Sequence, residues 1–267
     1  QLSRGEKVSL PAKTHSFKQW AERLTELAGS EAVERELNYW LATSSVQAPG
    51  VPVDYAKGPN TIESARTVSV SLNAEETQTL LQAVRKSFNA QVNDVLLAAL
   101  GQVFARWTGA STFLIDLESD GREVAIEGID VARTVGWFTN LYPTLLDLDR
   151  ISSPWEGLKS VKDQLRRIPN HGVGYGLLRY MARDPAIAER MRAVPRPEVI
   201  SLYLGQFDQS FSLSPLFRLA KEPCGPLRSP RGIRRHLFEI TGSVASDEGT
   251  LRIQWTFQAT EQVLLIK

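Results

Sequence analysis

From Gln91 to Thr108 the chain places Val92, Val95, Leu96, Ala99, Leu100, Val103, Phe104 and Trp107 around most of a helix's circumference. A helix coated in this way has little surface suited to water and is expected to be buried, with Gly109 stopping it. It needs cover, and the flanking sequence supplies strands. Val68, Val70 and Leu72 alternate with Thr67, Ser69 and Ser71, which predicts a strand with one buried face. Asn73 with Glu76 caps a helix to about Ser87, and Thr112 to Leu117 reads as a buried strand. Leu141 to Leu148 is a further strand. Ser153-Pro154-Trp155-Glu156 opens a helix to about Arg167, with Ser as cap, Pro in the first position and Glu returning the bond. Glu198 to Leu204 reads as a strand, and Arg235 to Phe257 as a hairpin turning near Asp247-Glu248-Gly249. Strands alternating with helices, then a terminal hairpin, predict a mixed sheet covered by helices.

Ahead of this block, Ser16 and Gln19 form a capping box for a helix over 16–28, with Phe17, Trp20, Leu24 and Leu27 on one face. A second helix is expected from about Glu31 to Leu41. The stretch 44–60, with three prolines and two glycines, reads as a crossing linker.

Charge and cysteine content exclude several classes. Thirty-one basic and 30 acidic side chains leave a net charge of +1, so bulk charge gives no push toward nucleic acid. The single cysteine, Cys224, permits neither an internal disulfide nor a thiolate metal cluster, and a reducing, cytoplasmic setting is the simpler expectation. No apolar run reaches the ~18 residues of a membrane span. Residues 1–7 have no apolar core, so no signal peptide is expected. A chain that opens on Gln1 and closes on Leu264-Leu265-Ile266-Lys267 has the look of a piece of something longer.

His15, His171 and His236 lie far apart, none with a ligand at metal spacing, so a metal site is not expected. No nucleophile-elbow pattern appears. Gly172-Val173-Gly174-Tyr175-Gly176 is not preceded by a strand, which argues against a phosphate loop. A tight turn with close backbone packing, or a turn shaping a substrate channel, accounts for it. Asp116-Leu117-Glu118-Ser119-Asp120-Gly121-Arg122-Glu123 leaves a buried strand for a polar loop over 118–136. Strand ends of that kind carry working groups in α/β enzymes. A carboxylate there could exchange protons if burial lifts its pKa; a solvated loop with an Arg122–carboxylate pair is the plain alternative.

These segments also form a series. Asn93-Asp94-Val95-Leu96-Leu97-Ala98-Ala99-Leu100 resembles the D-x-L-L-x-A-x motif of epimerization domains of non-ribosomal peptide synthetases. Leu117-Glu118-Ser119-Asp120-Gly121-Arg122-Glu123 is similar to their E-G-H-G-R-E motif. Arg133 to Pro143 matches R-T-V-G-W-F-T-x-x-Y-P, Pro169 to Gly176 fits P-x-x-G-x-G-Y-G, and Tyr203 to Asp208 fits the end of F-N-Y-L-G-Q-F-D. Leu10 to Phe17 resembles the family's inter-lobe segment. Asp120 stands where the family has His, Leu202 where it has Asn, and Ser201 where it has Phe.

The resemblance implies an α/β, chloramphenicol-acetyltransferase-like lobe with a mixed β-sheet covered by helices. Residues 1–60 would be the inter-lobe helical segment and linker and 61–267 the C-terminal lobe, the N-terminal lobe with its H-H-x-x-x-D-G histidine being missing. It implies that an aminoacyl or peptidyl thioester, held on the phosphopantetheine of a peptidyl carrier protein, has its Cα proton removed and returned on the opposite face. No cofactor would bind the chain directly. Glu118 would be the proton-transfer residue facing the missing histidine, and Tyr203 a tunnel-lining or thioester-orienting partner. Asp120, Arg122, Trp137, Asn140 and Tyr175 would line or support the tunnel. Arg122 would hold the loop by pairing with Glu118 or Glu123, and Asp120 would bring a second carboxylate near Glu118. Lys221, Arg228, Arg231, Arg234 and Arg235 form a basic run that is either a solvated loop or a dock for an acidic carrier protein. Two other readings stay open: a condensation domain joining two carrier-bound substrates, and a module that grips a carrier protein without catalysis.

Overall fold

Ser16 and Gln19 form the expected capping box, with Gln19 N donating to Ser16 Oγ (3.2 Å) and Ser16 N to Gln19 Oε1 (2.8 Å). The N–H groups that a first helical turn leaves unpaired are thereby satisfied, and α1 spans Phe17–Leu27 in the computed structural model. The structure describes residues 5, 7–46, 48–54, 58–87, 89–124, 126–149, 151, 153–206, 222, 224–245 and 250–258. After α1 come α2 (Glu31–Glu34), α3 (Leu37–Ser45), β1 (Ala65–Ser71), α4 (Ala74–Ser87), α5 (Val92–Thr108), β2 (Thr112–Ser119), β3 (Asn140–Asp147), α6 (Pro154–Leu165), α7 (Val173–Met181), α8 (Pro185–Ala193), β4 (Val199–Gln206), β5 (Phe238–Ala245) and β6 (Thr250–Gln258). The strands form one sheet in the order β1-β6-β5-β4-β2-β3. Pairings β2–β4 and β4–β5 are parallel, while β5–β6 and β1–β6 are antiparallel, so the sheet is mixed.

By packing, the chain forms two units. The first takes Gln1–Leu41, Ser119–Leu141 and Pro169–Ala193; the second takes Ala42–Glu118, Tyr142–Ile168 and Val194–Lys267. In the second, α5 lies on the sheet through Phe104, which stacks on Phe113 at 4.1 Å and on Trp255 at 5.9 Å. Leu97, Ile115, Leu146, Val199 and Leu251 complete this core, each at most 1% exposed. Burying one such side chain stabilises by roughly 1.5–3 kcal/mol. In the first unit, Phe17 and Trp20 meet Phe138 edge-on at 5.2 and 5.6 Å, and Trp40 packs on Tyr175 at 5.5 Å.

Strand register sorts the residues of the second unit by face. Asp116 pairs with Ile200 and Ile200 with Glu239; Leu117 pairs with Ser201, Ser201 with Ile240 and Ile240 with Trp255. Partners in register share a face and successive residues alternate. Ile115, Leu117, Tyr203, Ile240, Gly242 and Trp255 therefore face α5, where a Cβ on Gly242 would meet Leu96 at 3.2 Å and Tyr203 at 3.3 Å. Asp116, Glu118, Ile200, Leu202, Glu239 and Thr241 take the other face.

Several expectations change. The helix expected over 31–41 is two pieces: Ser30 Oγ caps α2, and the break draws Glu36 inward to 7% exposure. Helix α5 is buried on one side only, with Val103 and Trp107 still 49% and 39% exposed. Strand β1 has no buried face, because it is an edge strand whose sole described neighbour in the sheet is β6, and Val68 and Val70 are exposed. Helices α7 and α8 were not anticipated; Asp184 Oδ1 accepts from Ala186 N at the start of α8. The reciprocal bonds of Asn73 and Glu76 (2.9 Å each) and the left-handed Gly109 cap of α5 (φ 74°) are as expected. The expected turn at Asp247-Glu248-Gly249, and Lys221, Phe207 and Asp208, lie outside the described residues.

Candidate functional site

Strand β2 carries a carboxylate on each of two successive outward positions of the face away from α5. Asp116 is 1% exposed and its Oδ2 lies 2.7 Å from His236 Nε2, itself on a residue 4% exposed. Arg235 Nη2 stands 3.8 Å from the same oxygen. The segment bearing these two residues is fixed by Asn60, whose Nδ2 donates to the carbonyls of Arg234 (3.1 Å) and His236 (3.0 Å). Two residues further along β2, Glu118 is half-buried. Its pKa is raised above the ordinary 4.5, first by burial, with His236 opposing and Asp116 adding to the rise. A carboxyl displaced in this direction keeps its proton to higher pH and becomes a better partner for exchange near neutrality. A second carboxylate acting on Glu118 is thus Asp116, which the sequence reading had not assigned to it.

Asp120 and Arg122 lie in the first unit and serve each other. Asp120 Oδ1 accepts from Arg122 N (3.0 Å), capping the 3₁₀ turn Gly121–Glu123, and stands 3.8 Å from the Arg122 Nε. The guanidinium sits 4.0 Å over the Phe138 ring and donates to the carbonyls of Val131 and Gly136. Arg122 therefore pins the R-T-V-G-W-F segment; the expected pairing with Glu123 concerns a side chain outside the described ones. Gly121 is required: a Cβ there would collide with the Phe138 carbonyl oxygen. Trp137 is 80% exposed, whereas Tyr175 is 3% exposed, its hydroxyl accepting from Arg179 Nη1 at 3.2 Å. Asn140 is engaged at both ends of its amide, Nδ2 donating to the His171 carbonyl (2.8 Å) and Oδ1 lying 2.8 Å from Ser119 Oγ.

That carbonyl belongs to a strained turn. Asn170 (φ 43°, ψ 42°), His171 (φ 51°, ψ 29°) and Gly172 (φ 84°, ψ −3°) are three left-handed residues in a row, two of them with a Cβ. Left-handed backbone costs a residue with a Cβ roughly 1–2 kcal/mol, and strain of this kind concentrates at functional sites. The tight turn expected over 172–176 thus lies earlier, and Gly174 and Gly176 fall inside α7. The close approach is real at Gly174, where a Cβ would collide with the Glu36 carboxylate.

Tyr203 is not beside Glu118: by register it faces α5, on the opposite side of the sheet. Of the basic run, Arg228 and Arg231 are exposed and Arg235 is engaged with Asp116. Arg234 is 4% exposed, bonded to Glu239 Oε1 (3.3 Å), Asn60 Oδ1 (3.3 Å) and the Thr256 carbonyl (3.1 Å), so its charge is used within the fold. A cavity of about 180 Å³ near the start of β2, lined by Pro49, Phe104, Phe113, Arg196 and Glu198 among others, includes none of these groups. Among the described residues no cluster of His, Cys, Asp and Glu could hold a metal ion, and no helix is long and apolar enough to cross a membrane. His236 and Asp116 were missed by sequence reasoning; a histidine and an acid 120 residues apart carry no local signal.

The chain as a whole is similar to known proteins. The condensation-domain family model matches residues 1–261. A linear gramicidin synthase polypeptide of Brevibacillus parabrevis is 45% identical over 262 residues, 97% of this chain but 3% of its own length. Surfactin synthase subunit 1 of Bacillus subtilis is 37% identical over 257 residues, 7% of its length. The solved epimerization domain from the third module of tyrocidine synthetase B superposes with a TM-score of 0.84 at 32% identity, over 97% of this chain and 57% of that one. The first condensation domain of the CDA synthetase shares the fold, with a TM-score of 0.58 at 16% identity over 96% of this chain and 51% of that one.

Proposed function

This chain belongs to the condensation-domain family, and we propose that it is the carboxy-terminal lobe of an epimerization-type member in a non-ribosomal peptide synthetase, acting on the Cα of an aminoacyl or peptidyl thioester delivered by a peptidyl carrier protein. The observation that carries the reading is Glu118: a half-buried carboxyl at the end of β2, its pKa raised by burial and by Asp116. The greater similarity to an epimerization domain than to the CDA condensation domain supports the same choice.

Inverting Cα needs one group to take the proton from one face of a planar enolate and another to return it on the opposite face. Glu118 is one of these, and the histidine of a companion lobe is the other. When Glu118 is the base it takes the Cα proton on an oxygen; the histidine delivers one on the far side, and the roles reverse for the opposite direction. Partial burial suits this double duty, because a carboxyl with a raised pKa accepts and releases a proton with less bias. Arg122 holds the following loop through the carbonyls of Val131 and Gly136. Asn140 fixes the chain just after Glu118. Trp137, exposed, lines the substrate path, and Tyr175 supports it from within. Tyr203, on the α5 face, buttresses the sheet beside Gly242. Arg228 and Arg231 supply the charge for carrier docking.

The test is a two-lobe protein in which this chain is joined to its companion lobe and given a loaded carrier protein in deuterated water. Epimerization gives deuterium at Cα, and Glu118→Gln lowers the rate by roughly 10²–10³-fold. Dipeptide formation without deuterium uptake would make the protein a condensation domain. The chain alone is expected to exchange no Cα proton above background, and turnover by it would refute the need for a second lobe.

A further inference from the structure

Glu36 is a carboxylate 7% exposed, in the break between α2 and α3. Its oxygens accept from Trp40 Nε1 (3.1 Å) and from Asn170 Nδ2. Room for it is made by Gly174, where any side chain would strike the carboxylate. Asn170 is the first of the three left-handed residues, and the turn it opens presents the His171 carbonyl to Asn140 Nδ2 and to the Ser119 hydroxyl, 2.8 Å from each. Ser119 follows Glu118 directly in the chain. A continuous series of bonds therefore runs from a buried acid, through an amide and a strained carbonyl, to the residue next to the proposed proton-transfer group.

We infer that Glu36 is a positioning residue: through Asn170 it holds the left-handed turn whose His171 carbonyl fixes Ser119 and Asn140, and with them the backbone on which Glu118 is carried. The inference rests on the reading of Glu118 as the proton-transfer group. A left-handed Asn-His pair reverts to an ordinary turn unless something holds it, and Glu36 is the buried group bonded to its first residue. A carboxylate can accept from Trp40 and Asn170 together, one on each oxygen; a glutamine has a single oxygen and turns an NH₂ toward the other donor. Small displacements of a proton-transfer group are costly in rate, because proton transfer depends steeply on reach and alignment.

Two variants of the intact two-lobe domain test this. Asn170→Gly removes the tie to Glu36 while placing at φ 43° the residue most at home there, so the fold is kept and the tie is lost. Glu36→Gln breaks one of the two bonds from the other end. Each is expected to lower kcat for Cα deuterium exchange roughly 10-fold or more. KM for the loaded carrier should stay within about twofold and Tm nearly unchanged, and the double variant should be little worse than either single. Backbone NMR signals of Glu118 and Ser119 should shift in Asn170→Gly, while those of β5 stay in place. Wild-type kcat in folded Asn170→Gly, or losses that merely track a fall in Tm, would overturn the inference. If the wild-type domain exchanges no Cα proton, the epimerization reading falls, and the NMR signals still decide this one: unmoved Glu118 and Ser119 signals refute it, displaced ones support it.

Discussion

Phe104 and Gly121 represent two ways of holding a fold. Phe104 works by volume: it fills the space between α5 and the sheet and touches other rings on several sides. Gly121 works by having none, letting the 3₁₀ turn lie against the Phe138 carbonyl. The second unit is built mostly in the first manner, from stacked rings and paired strands. The first unit depends more on the second manner, with glycines that admit a neighbour at Gly121, Gly136 and Gly174, and with polar ties to carbonyls from Arg122, Asn140 and Arg179. A core of rings should lose stability in proportion to what is removed, whereas a lattice of close approaches should fail when a single methyl is added.

Substitutions can break or sharpen that contrast. Phe104→Ala is expected to cost the most, about 4 kcal/mol in urea unfolding, since it removes an aromatic side chain 1% exposed and leaves a cavity. Gly121→Ala should cost about 3 kcal/mol although it only adds atoms, because the obstacle is backbone and cannot step aside. A cost below about 1 kcal/mol would mean that the turn is softer than its geometry implies. His236→Ala should cost about 2 kcal/mol by leaving the Asp116 carboxylate buried without its hydrogen bond. The same variant removes the influence that lowers the Glu118 pKa, so that group should titrate still higher, while Asp116→Asn should move it down; carboxyl carbon shifts in NMR read both. At the small end, Val68→Ala on the exposed edge strand should fall within about 0.5 kcal/mol of wild type.

The pH dependence has a defined sign. The folded-state pKa of Glu118 is raised, so its contribution to stability is fully present below the unfolded value and is lost as pH rises through the folded one. Relative to Glu118→Gln, the wild-type protein should therefore lose stability as pH climbs from below 4.5 through the raised pKa. A difference that is flat with pH, or that grows, would show that the carboxyl is more open to water than its place on β2 indicates.

What could be read in the sequence was mostly local. Ser16 with Gln19 and Asn73 with Glu76 announce helix starts through side chains a turn apart, Gly109 announces a helix end through its backbone freedom, and the structure uses each of them so. The mixed sheet also followed, because strand order along the chain constrains which strands can lie parallel. What escaped depends on pairing across long separations. Alternation predicted a buried face for β1, but burial needs a helix above it, and an edge position removes one. Glu118 and Tyr203 belong to two motifs of one family's series, yet only the β2–β4 register says that they face opposite ways. The left-handed turn was invisible as well: Pro169-Asn170-His171-Gly172 suggests a turn, but nothing in it specifies three such residues in succession. For the candidate site, then, the carboxylate could be named from the residues, while the groups that set its proton affinity and hold its backbone could not.

The span between Asp116 and His236 has a consequence for synthesis. A ribosome releases the acid 120 residues before its imidazole partner. Until that imidazole is made, the carboxylate lacks the hydrogen bond that it accepts in the folded chain. The site therefore cannot mature during translation of β2; it must wait for the strands that close the sheet, and any product truncated ahead of residue 236 would carry the acid without its imidazole partner.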